Sequence, residues 1–293
     1  MTQPRVAPRR RADRFRRNPF VVIIAGFLVL LLCIDGLAQV ATTAVDGRAW
    51  AELAVAVVVV PVALLVYRYF ITVFLEGRAQ APEIAIDGRT PRYVWRGFLL
   101  AVFVMGVAYL LIAVIGGAQI SAGQPWLTAI ISSLALAAIA AVVEELFLRG
   151  VLFRVSEEYL GSWLALAVSA IFFGFLHLAN PDASIWAGVA IALEAGVSLA
   201  AIYLLTRTLW VPIGVHLGWN FTESILGVPV SGNTPAGAVT TTFTGPAWVT
   251  GGAFGMEASV IVVVVWLAVA IAVLALAIRR GRLVAPRWRR TTA

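Results

Sequence analysis

Apolar residues in this chain come in long blocks instead of alternating with polar ones. Eight such stretches lie at approximately 20–41, 50–74, 98–117, 127–156, 160–178, 185–206, 209–227 and 259–278. Most approach the ~20 apolar residues that a membrane-crossing helix requires. The expected fold class is therefore all-α: a polytopic helix bundle of about eight transmembrane helices. The 228–258 stretch interrupts the pattern and is rich in Gly, Thr, Ser and Pro, with Glu257 its only charge. It reads as an exposed outer loop, at most a partial lid, with no chemistry of its own. No internal repeat is visible, which gives an inverted-repeat transporter no support.

Composition strengthens this picture. Apolar residues make up 61% of 293 positions and charged residues only 13%, against roughly half and a quarter in soluble domains. The net charge of +7 is carried entirely by arginine on the basic side. It is clustered in residues 5–17, in the 75–97 connection and in residues 279–290. Such juxtamembrane clusters report topology and attract anionic lipid, and they do not indicate a nucleic-acid partner. All fall on one side if both termini are cytoplasmic. Arg154 and Arg207 follow the same parity, while the alternate connections carry Arg48 at most. Arginine without lysine, with abundant Ala and Val, suggests a GC-rich bacterial genome and its cytoplasmic (inner) membrane. The basic start followed by an apolar run resembles a signal peptide, with Ala38-Gln39-Val40-Ala41 a passable cleavage site. A run this long favours an uncleaved anchor. The single Cys33 excludes an intramolecular disulfide and a cysteine zinc site.

The chemistry lies in polar groups inside the apolar blocks, where a charge costs on the order of 2.5–3.5 kcal/mol. Glu144-Glu145-Leu146-Phe147-Leu148-Arg149 occupies the fourth block. Helical spacing pairs Glu145 with Arg149 and turns Glu144 about 100° away, free of that pair. The only two histidines follow: His177 ends Phe173-Gly174-Phe175-Leu176-His177, and His216 opens His216-Leu217-Gly218-Trp219-Asn220. Phe173 should wall the His177 ring, and Asn220 should share a face with His216. At 1.5 Å per residue, Glu144, His177 and His216 lie about 20, 24 and 14 Å from the inner boundary, so three helices can bring them together. Pro212, four residues before His216, is expected to kink its helix. Of the other charges, Glu194 needs a partner or a hydroxyl, Glu223 supports the site or faces outward, Glu52 and Arg68 snorkel, and Asp35 caps or bends the first span.

Glu-Glu-x-x-x-Arg, Phe-x-x-x-His and His-x-x-x-Asn on successive apolar segments, with Asn180 after His177, resemble the CPBP family. That family comprises CAAX prenyl endopeptidases and bacteriocin-processing or immunity (Abi) proteins, and the resemblance spans roughly residues 127–227. It implies an intramembrane endopeptidase, a hydrolase, in which Glu144 is the general base holding the attacking water with His177. His216 and Asn220 would stabilise the oxyanion, and Glu145 and Arg149 would orient the base and keep the helix in register. The family has been described both as metalloprotease and as metal-free. If zinc is bound, Glu144, His177 and His216 form the ligand set, but the absence of a His-x-x-x-His pair favours metal-free water activation. The implied substrate is a membrane-associated peptide or protein, cut near the cytoplasmic half of the bilayer. The alternative is a non-catalytic membrane protein for bacteriocin immunity or scaffolding. The expected organisation is a basic cytoplasmic tail (1–19), two helices and a basic inner loop (20–97), a catalytic bundle (98–227), the outer loop (228–258), and a last helix with a basic tail (259–293).

Overall fold

The computed structural model describes residues 16–290. The arginine-rich stretch 1–15, most of the expected N-terminal tail, lies outside the described residues, as do 291–293. Eight long helices run in chain order among the described residues: α1 (Pro19–Ala44), α2 (Ala49–Leu75), α3 (Thr90–Gly116), α4 (126–160), α5 (162–179), α6 (Ile185–Thr206), α7 (Trp210–Ile225) and α8 (Val260–Arg279). Their starts follow local chemistry. Asn18 accepts from the Phe20 backbone with Pro19 beginning α1, Ser184 accepts from Ala187 at α6, and Ser259 accepts from Ile261 at α8.

Six helices are long and apolar enough to cross a membrane, which makes the chain a multi-pass membrane protein. This differs from the expected eight spans for two reasons. Residues 126–179 form one helical stretch of 54 residues, about 80 Å if straight and far longer than the ~30 Å bilayer core. Gly161 breaks it with φ 79°, a left-handed conformation that a side chain would disfavour. Beyond the break α5 folds back on α4, and Ser169 donates to the Leu148 carbonyl at 3.2 Å. The other case is α7. Its 16 residues extend only about 24 Å, and it is enclosed by α3, α4 and α6.

The fold is not purely helical. Ala118–Ala122 (β1) pairs antiparallel with Val239–Phe243 (β2), Ala118 opposite Phe243 and Ala122 opposite Val239. This ladder ties the α3–α4 connection to the 228–258 connection and marks one end of the bundle. At the other end, Glu76 bridges to Arg154, Glu157 to Arg207, and Ser162 bonds the Val284 carbonyl. The arginine-bearing connections thus gather at a single end, as their parity along the sequence requires. Outward faces are apolar, with Phe20, Trp50, Phe103, Val114 and Ile185 all exposed, the surface a lipid environment covers.

Packing places the site. Gly214 and Gly218 on α7 face α3, where an added Cβ would lie 2.2 Å from the Val94 carbonyl and 2.5 Å from that of Phe98. A small-x-x-x-small face of this kind lets two helices meet backbone to backbone, and it brackets His216. Pro212 falls in the first turn of α7. Its missing N–H would have no intrahelical acceptor there, so the expected kink has no cause. Glu52 does not snorkel. It is buried, and the Ser132 hydroxyl donates to it across the α2–α4 contact. Asp35 makes no capping bond and instead accepts from Gln39 at 2.7 Å.

Candidate active site

Glu144 and Glu145 end the regular part of α4, just before a π-helical stretch from Leu146 to Phe153. The two carboxylates diverge as their spacing predicts. Glu145 is fully buried and accepts from Arg149 Nη1 at 2.7 Å, whereas Glu144 is partly exposed and lines a cavity. Arg149 also donates from Nη2 to the carbonyls of Ala195 and Gly196, at 3.2 and 3.1 Å. Those carbonyls belong to a π-helical turn of α6, Ala192–Gly196, where widening frees backbone acceptors. Arg149 therefore clamps α4 to α6, and its guanidinium lies 5.0 Å over the Phe173 ring.

The histidines approach from α5 and α7. His177 Nδ1 donates to the Phe173 carbonyl at 2.8 Å, which leaves Nε2 as the working atom. The Phe173 ring meets the His177 ring edge-on at 4.6 Å and His216 at 6.0 Å, so it walls both. His216 sits between the glutamates: its Nδ1 bonds Glu145 Oε1 at 3.1 Å, and its Nε2 stands 3.9 Å from Glu144 Oε2. The Glu145–His216 bond is not legible from spacing, because the two residues are 71 positions apart.

All four residues expected to carry the chemistry, Glu144, His177, His216 and Asn220, line one cavity of about 780 Å³, together with Phe173 and Asn180. Glu145 and Arg149 stand behind its wall. The cavity runs from Phe27 and Leu31 on α1 towards Thr42, Pro181, Asn233 and Pro235. It therefore reaches the ladder end of the bundle and not the arginine-bearing end. Asp35 and Gln39 give the α1 wall a polar strip.

Among the described residues no three His, Cys, Asp or Glu side chains are grouped to hold one metal ion. Glu144, His177 and His216 share a cavity without forming a ligand set. Each histidine commits Nδ1 to another partner, which leaves Nε2 as the nitrogen open to a ligand or a water. Glu194 and Glu223 do not line the cavity. Both are fully buried, and neither carboxylate finds a hydrogen-bond partner among the described residues.

One feature of the cavity wall escaped the sequence. Glu257, in the loop expected to be exposed and inert, is buried at the cavity wall and accepts from Trp219 Nε1 at 3.0 Å. It also accepts from the Ser231 backbone and hydroxyl, at 2.6 and 2.7 Å. Burial pushes its carboxyl above the usual range, and the Ser231 and Trp219 donors pull it partly back. A lone acid in an otherwise uncharged loop was the available signal.

Fold and site together define a multi-pass helical membrane protein with a glutamate–histidine cavity buried among its helices. Residues 125–222 match a family model described as Rce1-like, "Type II CAAX prenyl endopeptidase Rce1-like". The match covers about a third of the chain, takes in all three motifs, and bears out the resemblance they carry. The family it names is one of CAAX endopeptidases. No curated protein and no solved structure matches the chain.

Proposed function

We propose that this chain is an intramembrane endopeptidase that hydrolyses a peptide bond of a membrane-associated peptide or protein. The observation that carries the reading is the convergence of Glu144, His177, His216 and Asn220 from three helices on one cavity. Glu144 Oε2 has no hydrogen-bond partner among the described residues and stands too far from His216 Nε2, at 3.9 Å, for a direct bond. Glu144 Oε2 is therefore free to bond a water lying beside it. Glu144 takes the proton as the water oxygen adds to the carbonyl carbon, with His177 Nε2 holding the water. The oxyanion that forms accepts from Asn220 Nδ2 and His216 Nε2. Donation from Nε2 requires the imidazolium, whose other N–H goes to Glu145. This revises the role of Glu145 from orienting the base to holding His216. The adduct then expels the amine, which takes the proton back from Glu144.

The same reading assigns the membrane side. The chain crosses eight times, α7 being the short buried crossing. The arginine-bearing end faces the cytoplasm and anionic lipid of a bacterial inner membrane. The cavity then opens towards the opposite face, and substrate enters from there.

Purified protein in nanodiscs, incubated with a membrane-peptide library in water labelled with heavy oxygen, tests the chemistry. Hydrolysis predicts one heavy oxygen in the new carboxyl terminus of each product. Cleavage products lacking the label would exclude direct attack by water.

A further inference from the structure

The 228–258 connection does more than border the cavity. Four hydrogen bonds join Ser231 and Glu257 to each other and to both histidine-bearing helices. From the α5 side, Asn180 Nδ2 donates to the Ser231 carbonyl at 3.0 Å. From α7, Trp219 Nε1 donates to Glu257 Oε1 at 3.0 Å. Ser231 and Glu257 are joined through the Ser231 N–H and hydroxyl, at 2.6 and 2.7 Å. Asn180 follows His177 by one turn, and Trp219 immediately precedes Asn220. The strap therefore spans the cavity between the base side and the oxyanion side.

Two further observations show that it is rigid. Ser231 holds φ at 47°, a conformation that a non-glycine residue keeps only where its surroundings over-determine it. Trp219 is stacked on Trp266 at 4.3 Å, and the Trp266 indole in turn donates to Met105. The anchor of the strap on α7 is thereby fixed against α8 and α3.

We propose that Glu257, acting through Ser231 and Trp219, is a positioning residue that sets the distance between the His177–Asn180 turn and the His216–Asn220 face. This rests on the endopeptidase reading above. Glu257→Gln keeps an acceptor for Trp219 but turns an amide donor towards the Ser231 N–H, so the strap parts at that point. Misplacement of a catalytic group by about 1 Å can cost on the order of 100-fold in rate. Accordingly kcat should fall about 10- to 100-fold with KM within about twofold.

The test measures kcat and KM on a cleaved peptide for wild type, Glu257→Gln, Asn180→Ala and the double variant, with thermal melting of each. Because both substitutions release Ser231, the double variant should lose no more kcat than the worse single one. Trp248→Ala, an exposed site in the same loop, should leave kcat unchanged. Unchanged kcat in Glu257→Gln, or multiplicative losses in the double variant, would overturn the proposal. Glu144→Ala, assayed alongside, separates the two claims: if it still cleaves, the endopeptidase reading fails instead.

Discussion

At the residue scale, the arrangement turns on one carboxylate oxygen shared by Arg149 and His216. Glu145 Oε1 accepts from Arg149 at 2.7 Å and from His216 at 3.1 Å with no exposure to solvent. Glu145→Gln keeps the shape and removes the charge that lets His216 donate from both nitrogens. Its kcat should fall on the order of 100-fold, the scale of a lost oxyanion donor, with KM little changed. Steady-state kinetics on a cleaved peptide checks this, and a rise in KM alone would count against it. Much at this scale was legible: i,i+4 spacing gave the Glu145–Arg149 pair, the Phe173 wall and the free face of Glu144. Spacing could not give the Glu145–His216 bond or the Glu257 contacts, because these join segments far apart in the chain. Nor could it separate Glu52, buried against Ser132, from a charge reaching the interface.

At the element scale, α7 is held by backbone contact more than by side-chain interdigitation. Gly214→Ala would bring a Cβ to 2.2 Å from the Val94 carbonyl, and backbone can yield only by moving the helix. The expected cost is about 1–3 kcal/mol of stability, with reduced kcat because His216 and Asn220 ride on the same helix. Thermal melting and kinetics of the variant, beside an exposed control such as Phe103→Ala, measure both effects. Long apolar blocks made the helices readable, although α3 begins at Thr90, well before the expected start at 98. The two strands were not read, although Val239-Thr240-Thr241-Thr242-Phe243 is a β-favouring run. Their pairing is a contact between distant loops, which local pattern does not encode. The extent of α7 was legible, since the expected stretch 209–227 matches Trp210–Ile225 closely.

At the scale of the whole molecule, the two ends differ in chemistry. The ladder end is tied by backbone pairing and neutral hydrogen bonds, and the opposite end by ion pairs. Glu83 shows how the latter behave. Burial alone would raise its carboxyl, but Arg78, Arg154 and the Tyr67 hydroxyl reverse this and hold it below the ordinary carboxylate range. A depressed native value contributes stability that is fully present above the unfolded value of about 4.3 and is lost as pH falls through the folded value. Wild type should therefore melt above Glu83→Gln at about pH 6 and lose that margin towards about pH 3. A margin constant across this range would contradict the assignment. Arginine parity along the sequence foretold which connections meet at this end, but it could not foretell that the cavity opens at the other. The most direct test of the whole account is cleavage of one membrane peptide by wild type and by Glu144→Gln in the same nanodiscs. Loss of cleavage in a variant that melts like wild type is the predicted result, and cleavage at the wild-type rate would contradict the account.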